Sequence, residues 1–279
     1  MTDRELAKEI WEEIHREHQE PVMRFTLEPG EPGLLESKVG GTPYLSREMP
    51  WPVDSAGVPM NLLAQVDCLE LAELPDFPHT GLLQFFIACN DVYGLNFEDM
   101  TAADGFRVLY HKAADASVTA REVLDKRPPL PEDSECCTPL ENGPCRIRFT
   151  PAAVQKMSQG DYQFNKLFVE KWNRRRPDAL IKYIWEISDD LSSLYEEMDP
   201  DQSPWHQMGG YPYFTQTDPR WDGKYPDLDV LLFQLDTQSW EGPPFLVLWG
   251  DCGVGNFFIN REALKKCDFS RVGYTWDCC

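Results

Sequence analysis

The segment best equipped to hold a ligand is Asp251-Cys252-Gly253-Val254-Gly255-Asn256. Its two glycines would let the backbone approach a bound group, while Asp251 and Asn256 supply a carboxylate acceptor and an amide. The competing reading is a tight turn whose Asp and Asn bond their own backbone. No strand-to-helix context marks a dinucleotide loop, and no basic residue makes it a phosphate loop. Gln65 and Gln234 come next. Each interrupts an apolar run, and each is followed two residues on by an acid, Asp67 and Asp236. An amide in a core must be hydrogen-bonded, so these glutamines read as structural pins. Binding in a cleft between two repeated units is the functional alternative. Trp249 joins Trp51, Trp205, Trp221, Trp240 and Trp276 in or near the same runs. These are packing residues, or they line an aromatic cleft for a cationic or sugar-like ligand.

The candidate binding residues are therefore Asp251, Asn256, Gln65, Gln234, Asp67, Asp236 and Trp249. No catalytic role is assigned. His15, His18, His79, His111 and His206 fall near no Gly-x-Ser-x-Gly elbow and no His-Glu-x-x-His motif. The nine cysteines include Cys136, Cys137 and Cys145 in one loop and Cys278-Cys279 at the end, without Cys-x-x-Cys or Cys/His ligand spacing. No metal and no cofactor is expected. An odd cysteine count without a secretory signal points to free thiols in a reducing compartment. The opening Met-Thr-Asp-Arg-Glu is not a signal peptide, and no stretch reaches the ~18 apolar residues of a membrane span. The expectation is a cytoplasmic protein.

The formal net charge is −21. A field of that sign repels phosphate backbones and anionic headgroups, which removes nucleic acid and membranes from the partner list. A basic protein or a cationic small molecule fits it. The bland alternative is that the charge serves solubility.

These residues need elements to position them. Thr2 and Glu5 form a capping box ahead of Leu6, Ala7, Ile10, Trp11 and Ile14 on one face, which predicts a helix over 3–18. Met23, Phe25 and Leu27 alternate as a strand that ends at Pro29-Gly30. Gly40-Gly41-Thr42-Pro43-Tyr44 then recurs as Gly209-Gly210-Tyr211-Pro212-Tyr213, and Leu62-Leu63-Ala64-Gln65-Val66-Asp67 as Leu231-Leu232-Phe233-Gln234-Leu235-Asp236. Both offsets are 169, since 209 − 40 and 231 − 62 agree. Asp91 with Asn96-Phe97 is matched to Asp251 with Asn256-Phe257, and Phe106 to Tyr110 to the stretch from Phe269 to Tyr274. An internal duplication follows, with one copy at about 38–112 and another at about 205–276. The run Gly81 to Ile87 is paired with Pro244 to Trp249.

The insertion, 113–204, opens with a Pro-rich acidic loop and a strand at Cys145 to Phe149. Thr150-Pro151 predicts a helix start. A second helix from Pro177 carries an apolar stripe of Leu180, Ile184, Ile187, Leu191, Leu194 and Met198, with Asp189, Asp190, Glu196 and Glu197 outward and Asp199 and Asp201 beyond. The fold class is α+β: internally duplicated, mostly antiparallel sheet in one domain, with an N-terminal helix and a helical insertion between repeats.

Gly40-Gly41-Thr42-Pro43-Tyr44, Trp51-Pro52, Ala64-Gln65-Val66-Asp67 and Gly81-Leu82-Leu83-Gln84-Phe85-Phe86, with Trp249-Gly250-Asp251 and Tyr274-Thr275-Trp276 at the end, resemble the YwqG-like family of bacterial proteins of unknown function. The resemblance runs from about Leu34 to the end and implies an α+β fold with antiparallel sheet. It carries over no site residues. The functional reading is an acidic, non-enzymatic protein-binding module, immunity-like in neutralising a basic partner. A small-molecule-binding protein, or an enzyme of unrecognised type, with its site between the repeats is the alternative.

Overall fold

The computed structural model describes residues 2–132, 136–187, 191–198, 205–221, 223–239 and 245–279. Trp240, Asp189, Asp190, Asp199, Asp201 and Pro244 lie outside the described residues.

Helix α1 (Asp3–Glu17) starts where Thr2 and Glu5 cap each other, and it buries Leu6, Ala7, Ile10, Trp11 and Ile14. Strand β1 (Gln19–Pro29) turns Met23, Phe25 and Leu27 into the core. The chain then builds β2 (Lys38–Val39), β3 (Asn61–Asp67), β4 (Leu82–Ile87) and β5 (Phe106–His111). Helix α2 (Ala120–Leu124), β6 (Cys145–Phe149), β7 (Ala153–Lys156), α3 (Phe164–Arg175) and α4 (Ser192–Met198) make the insertion. Strands β8 (Gln207–Gly209), β9 (Val230–Asp236), β10 (Gln238–Ser239), β11 (Phe245–Val247), β12 (Val254–Ile259), helix α5 (Arg261–Lys265) and β13 (Val272–Asp277) complete it.

The main sheet has 11 strands in the order β13-β12-β9-β8-β1-β6-β2-β3-β4-β5, with β7 also on β1. Its pairings are antiparallel. β1 is long enough to serve both sides: its first part pairs with β7 and β8 and its second with β6. The sheet curls on itself, because Phe85 of β4 stacks on Phe233 of β9 at 4.6 Å although several strands separate them in the sheet. The main core, with Phe85, Phe233, Phe257 and Trp249, fills the inside of that curl. A second cluster packs α1 on α3, with Trp11 against Phe164. No helix among the described residues is long and apolar enough to cross a membrane.

The two sides of the sheet match in register. Gln65 pairs with Gln84 and Asp67 with Leu82, while Gln234 pairs with Asn256 and Asp236 with Val254. Both ladders slip at the same place, between Leu62 and Ala64 on one side and between Phe257 and Phe258, opposite Leu232, on the other. Gly40 and Gly41 (φ 70° and 76°) and Gly209 and Gly210 (both φ 70°) take left-handed backbone, which explains why both turns carry a glycine pair.

Several sequence expectations are corrected. The strand that matches β4 is β12, not the run 244–249; β11 instead pairs with β10 in a separate two-stranded ladder. Asn96 lies in a turn and Asn256 inside β12, so the match between them does not hold in space. Tyr110, opposite Leu83, corresponds to Trp276, opposite Gly255, so the last match is displaced by two residues. After Thr150-Pro151 the chain forms β7, because the first part of β1 offers an open edge and Thr150 bonds the Arg24 carbonyl. No continuous helix runs from 177. Ile181 and Ile184 are held by Asn173 and Asn165 side chains, which satisfy backbone groups that a helix would pair internally. Leu180 is exposed there. Finally, Cys89 and Cys136 form a disulfide, with Cα atoms 4.5 Å apart, whereas all thiols were expected free.

Candidate functional site

Gln65 is fully buried and fully used. Its Oε1 accepts from Tyr44 N–H (2.9 Å) and from Gln84 Nε2 (2.8 Å), and its Nε2 donates to the Leu34 and Glu36 carbonyls. Gln84 Nε2 also donates to the Tyr44 carbonyl, and His111 Nε2 donates to Gln84 Oε1 at 2.9 Å. On the other side, Gln234 Oε1 accepts from Tyr213 N–H (2.8 Å) and its Nε2 donates to the Trp205 carbonyl (2.7 Å). Asn256 Nδ2 donates to the Tyr213 carbonyl, but the buried Asn256 Oδ1 has no hydrogen-bond partner among the described residues. The glutamines therefore pin the segments that follow the two glycine pairs. They lie on opposite sides of the sheet and do not converge on one cleft.

The other expected residues scatter. Asp67 caps a 3-10 turn through Leu69 N–H. Asp236 is mostly withdrawn from water, and burial pushes its carboxyl up to about 7; its N–H donates to His206 Nδ1. Burial takes His206 down to about 4, so it stays neutral. Trp249 belongs to the main core, and Asp251 is exposed. The glycines of 251–256 have packing reasons: a Cβ on Gly253 would stand 1.9 Å from the Asp277 carbonyl, and one on Gly255 would stand 2.4 Å from the Trp249 ring. Residues 250–252 form a turn ahead of β12, while Asn256 lies inside that strand and donates to the Tyr213 carbonyl instead of bonding its own turn.

Two clefts remain. One, of about 610 Å³, lies over β7, β8 and β9 and is lined by Arg24, Gln155, Lys156, Gln207 and Gln234. Its amides are largely spent: Gln155 Oε1 accepts from Tyr211 N–H, and Gln207 Nε2 donates to the Gly209 and Tyr211 carbonyls. Asp218 at its edge is bonded to the buried Arg220 at 2.6 Å. The other, of about 490 Å³, lies between the two sides of the sheet. One wall is the loop 91–100, with Asp91, Phe97 and Glu98; the other carries Phe214, Tyr225, Trp276 and Asp277.

This second cleft is held open by bonds between its walls. Trp276 Nε1 donates to the Val92 carbonyl (2.8 Å) and Tyr274 Oη to the Tyr93 carbonyl (2.9 Å). Tyr274 N–H donates to the Met100 carbonyl (2.8 Å), and Tyr225 Oη accepts from Met100 N–H and donates to Asp99. Asp277 accepts from Thr215 and Gln216 N–H groups, while burial raises its pKa. Phe97 stands 79% exposed at the rim. Carboxylates beside aromatic faces make a place for a cation: charge draws it in, and the ring quadrupole holds it. Lys224 is the one basic group among the described lining residues, against Asp91, Glu98 and Asp277.

Sequence reasoning missed Glu98, Phe214, Tyr225 and Asp277 because they come from three distant segments with no shared motif. A better signal did exist for the sheet. Gln84-Phe85-Phe86-Ile87 matches Asn256-Phe257-Phe258-Ile259 residue for residue in type and, as the ladders show, in position. No group of described residues has the makings of a metal site. No curated protein matches the chain. A family model matches residues 37–278, and the chain belongs to the family described as a domain of unknown function, DUF1963.

Proposed function

We propose that the protein is a binding module that captures a basic partner protein by taking an arginine or lysine side chain into the cleft between the two sides of its sheet. The observation that carries this reading is the cleft itself, where Asp91, Glu98 and Asp277 stand beside Phe97, Tyr225 and Trp276. The net charge of −21 supports it by steering a basic partner toward the surface. Wall-to-wall hydrogen bonds support it too, since a cleft formed in advance spares the ordering cost of binding. A second reading, a free cationic small molecule in the same place, draws on the volume of about 490 Å³, which is of ligand size. We also read β2–β5 and β8, β9, β12 and β13 as diverged copies of one unit, on the shared offset and shared slip, with 113–204 inserted between them.

Of the acids expected on the insertion, Glu196 is exposed, whereas Glu197 pairs with Arg4 and Lys8 of α1. The reading is centred on the cleft, where carboxylates and aromatic rings stand together. The experiment is calorimetric titration with an arginine-rich peptide, at low salt and at about 1 M salt, where the Debye length falls to ~3 Å. Binding to the wild type should weaken with salt, and Glu98→Lys with Asp91→Lys should weaken it by about tenfold or more, on the scale of a close charge pair. Equal affinity of the wild type and the charge-reversed protein would remove the cleft from the reading.

A further inference from the structure

Two cysteines with no motif spacing meet where the β12–β13 ladder ends. Val254 pairs with Asp277, and the same antiparallel register carried two residues further sets Cys252 opposite Cys279. Their sulfurs lie 3.1 Å apart, and both residues are exposed. Directly opposite positions in an antiparallel pair bring Cβ atoms to about 4.5–5.5 Å, near the ~3.5–4.5 Å that a disulfide spans. Bond formation then needs side-chain rotation and little backbone movement.

The backbone on both sides is fixed. Gly253 N–H donates to the Trp249 carbonyl (2.8 Å), and the Gly253 carbonyl accepts from Thr237 Oγ1 (2.8 Å). Gln216 Nε2 donates to the Cys278 carbonyl at 2.7 Å. Solvent exposure opens both sulfurs to a small oxidant. Cys68 and Cys145, by contrast, are buried.

We propose that Cys252 and Cys279 are a reversible oxidation site, whose disulfide fastens the end of β13 to the turn before β12. With glutathione disulfide as oxidant, one cysteine thiolate attacks a glutathione sulfur and expels one glutathione thiolate, leaving a mixed disulfide. The second cysteine thiolate attacks the protein sulfur of that mixed disulfide and expels the other glutathione. The two protein thiols lose two electrons and two protons, and one glutathione disulfide becomes two glutathione molecules. Asp277 and Cys278, the residues just before Cys279, line the inter-sheet cleft. The crosslink therefore fixes that wall and changes how the cleft takes its ligand. This consequence rests on the cation-binding reading; the crosslink does not.

The test equilibrates the whole protein in glutathione buffers of stepped oxidation, alkylates the remaining thiols, and maps linked peptides by mass spectrometry. A 252–279 link that dithiothreitol reverses is expected. Cys278→Ser should keep the link and Cys279→Ser should lose it, with circular dichroism unchanged at these outer positions. Free Cys252 at every ratio, or a link from Cys252 to Cys278, overturns the proposal. The arginine-rich peptide is then titrated into oxidised and reduced protein. A several-fold difference in affinity supports the coupling, and equal affinities with the link formed overturn the coupling alone. A link with no peptide binding at all counts against the cation-binding reading and leaves the oxidation site standing.

Discussion

The two sides of the sheet hold corresponding positions with different chemistry. On one side Gln65, Gln84, His111 and Tyr44 close a network in which each amide oxygen has a donor. At the matching positions on the other side stand Gln234, Asn256, Asp277 and Tyr213. Asn256 is one methylene shorter than Gln84, and Asp277 replaces the donor His111, so Asn256 Oδ1 is left buried without a partner among the described residues. Only the first glutamine of each set, which binds the segment after the glycine pair, keeps the same role on both sides. On the second side the residue opposite Val254 is a carboxylate, Asp277, in the wall of the cleft.

The largest consequence concerns the pins. Gln65→Leu removes four hydrogen bonds, two of them fully buried, whereas Gln234→Leu removes two that are part-buried. At about 1 kcal/mol net for each hydrogen bond lost, Gln65→Leu should cost about 4 kcal/mol and Gln234→Leu about 2. Urea denaturation midpoints check this, and equal losses would break the distinction between a closed and an open network.

A smaller contrast sharpens it. Gln84→Leu removes bonds to Tyr44, Gln65 and His111 and should cost about 3 kcal/mol, while Asn256→Leu gives up one bond and relieves an orphaned oxygen. The second variant should fall within about 1 kcal/mol of the wild type, measured the same way. A loss at Asn256 as large as that at Gln84 would mean that Oδ1 has a partner in solution, an ordered water being the first to look for.

The smallest effect is in pH dependence. Asp236 titrates near 7 in the folded protein because of burial, above the ~3.9 of an unfolded chain. The folded state therefore holds its proton more tightly, and the contribution to stability is lost as pH rises from about 4 to about 7. His206, kept neutral down to about 4, acts with the opposite sign: its contribution grows as pH climbs from about 4 to the ~6.5 of free histidine. Asp236→Asn isolates the first term. Relative to the wild type, the variant should gain stability steadily over that window and hold level above it. A constant difference across the window would show that Asp236 is hydrated and ionised throughout.

Local signals were legible where one segment decides its own fate. The Thr2–Glu5 box set the start of α1, and the alternation of Met23, Phe25 and Leu27 set β1. Signals failed where side chains from elsewhere decide. Leu180 to Met198 has helical spacing, yet Asn165 and Asn173 of α3 hold part of that stretch in another form. The run before Trp249 is as apolar as a central strand, but β12, which carries Gly255, pairs with β9 instead. Asp251 and Trp249 were singled out for the company they keep in sequence, and the fold sends one to solvent and the other to the core. The cleft was hidden for the same reason, since its walls meet only after the sheet has curled.

Mapping by nuclear magnetic resonance where the arginine-rich peptide sits is the most direct check on the cation-binding cleft. On titration, the backbone amides of Phe97, Glu98 and Asp277 and the Trp276 indole should shift together, from both sides of the sheet and with one affinity. Shifts gathered at Gln155, Lys156 and Gln207, or spread evenly over the acidic surface, would contradict it.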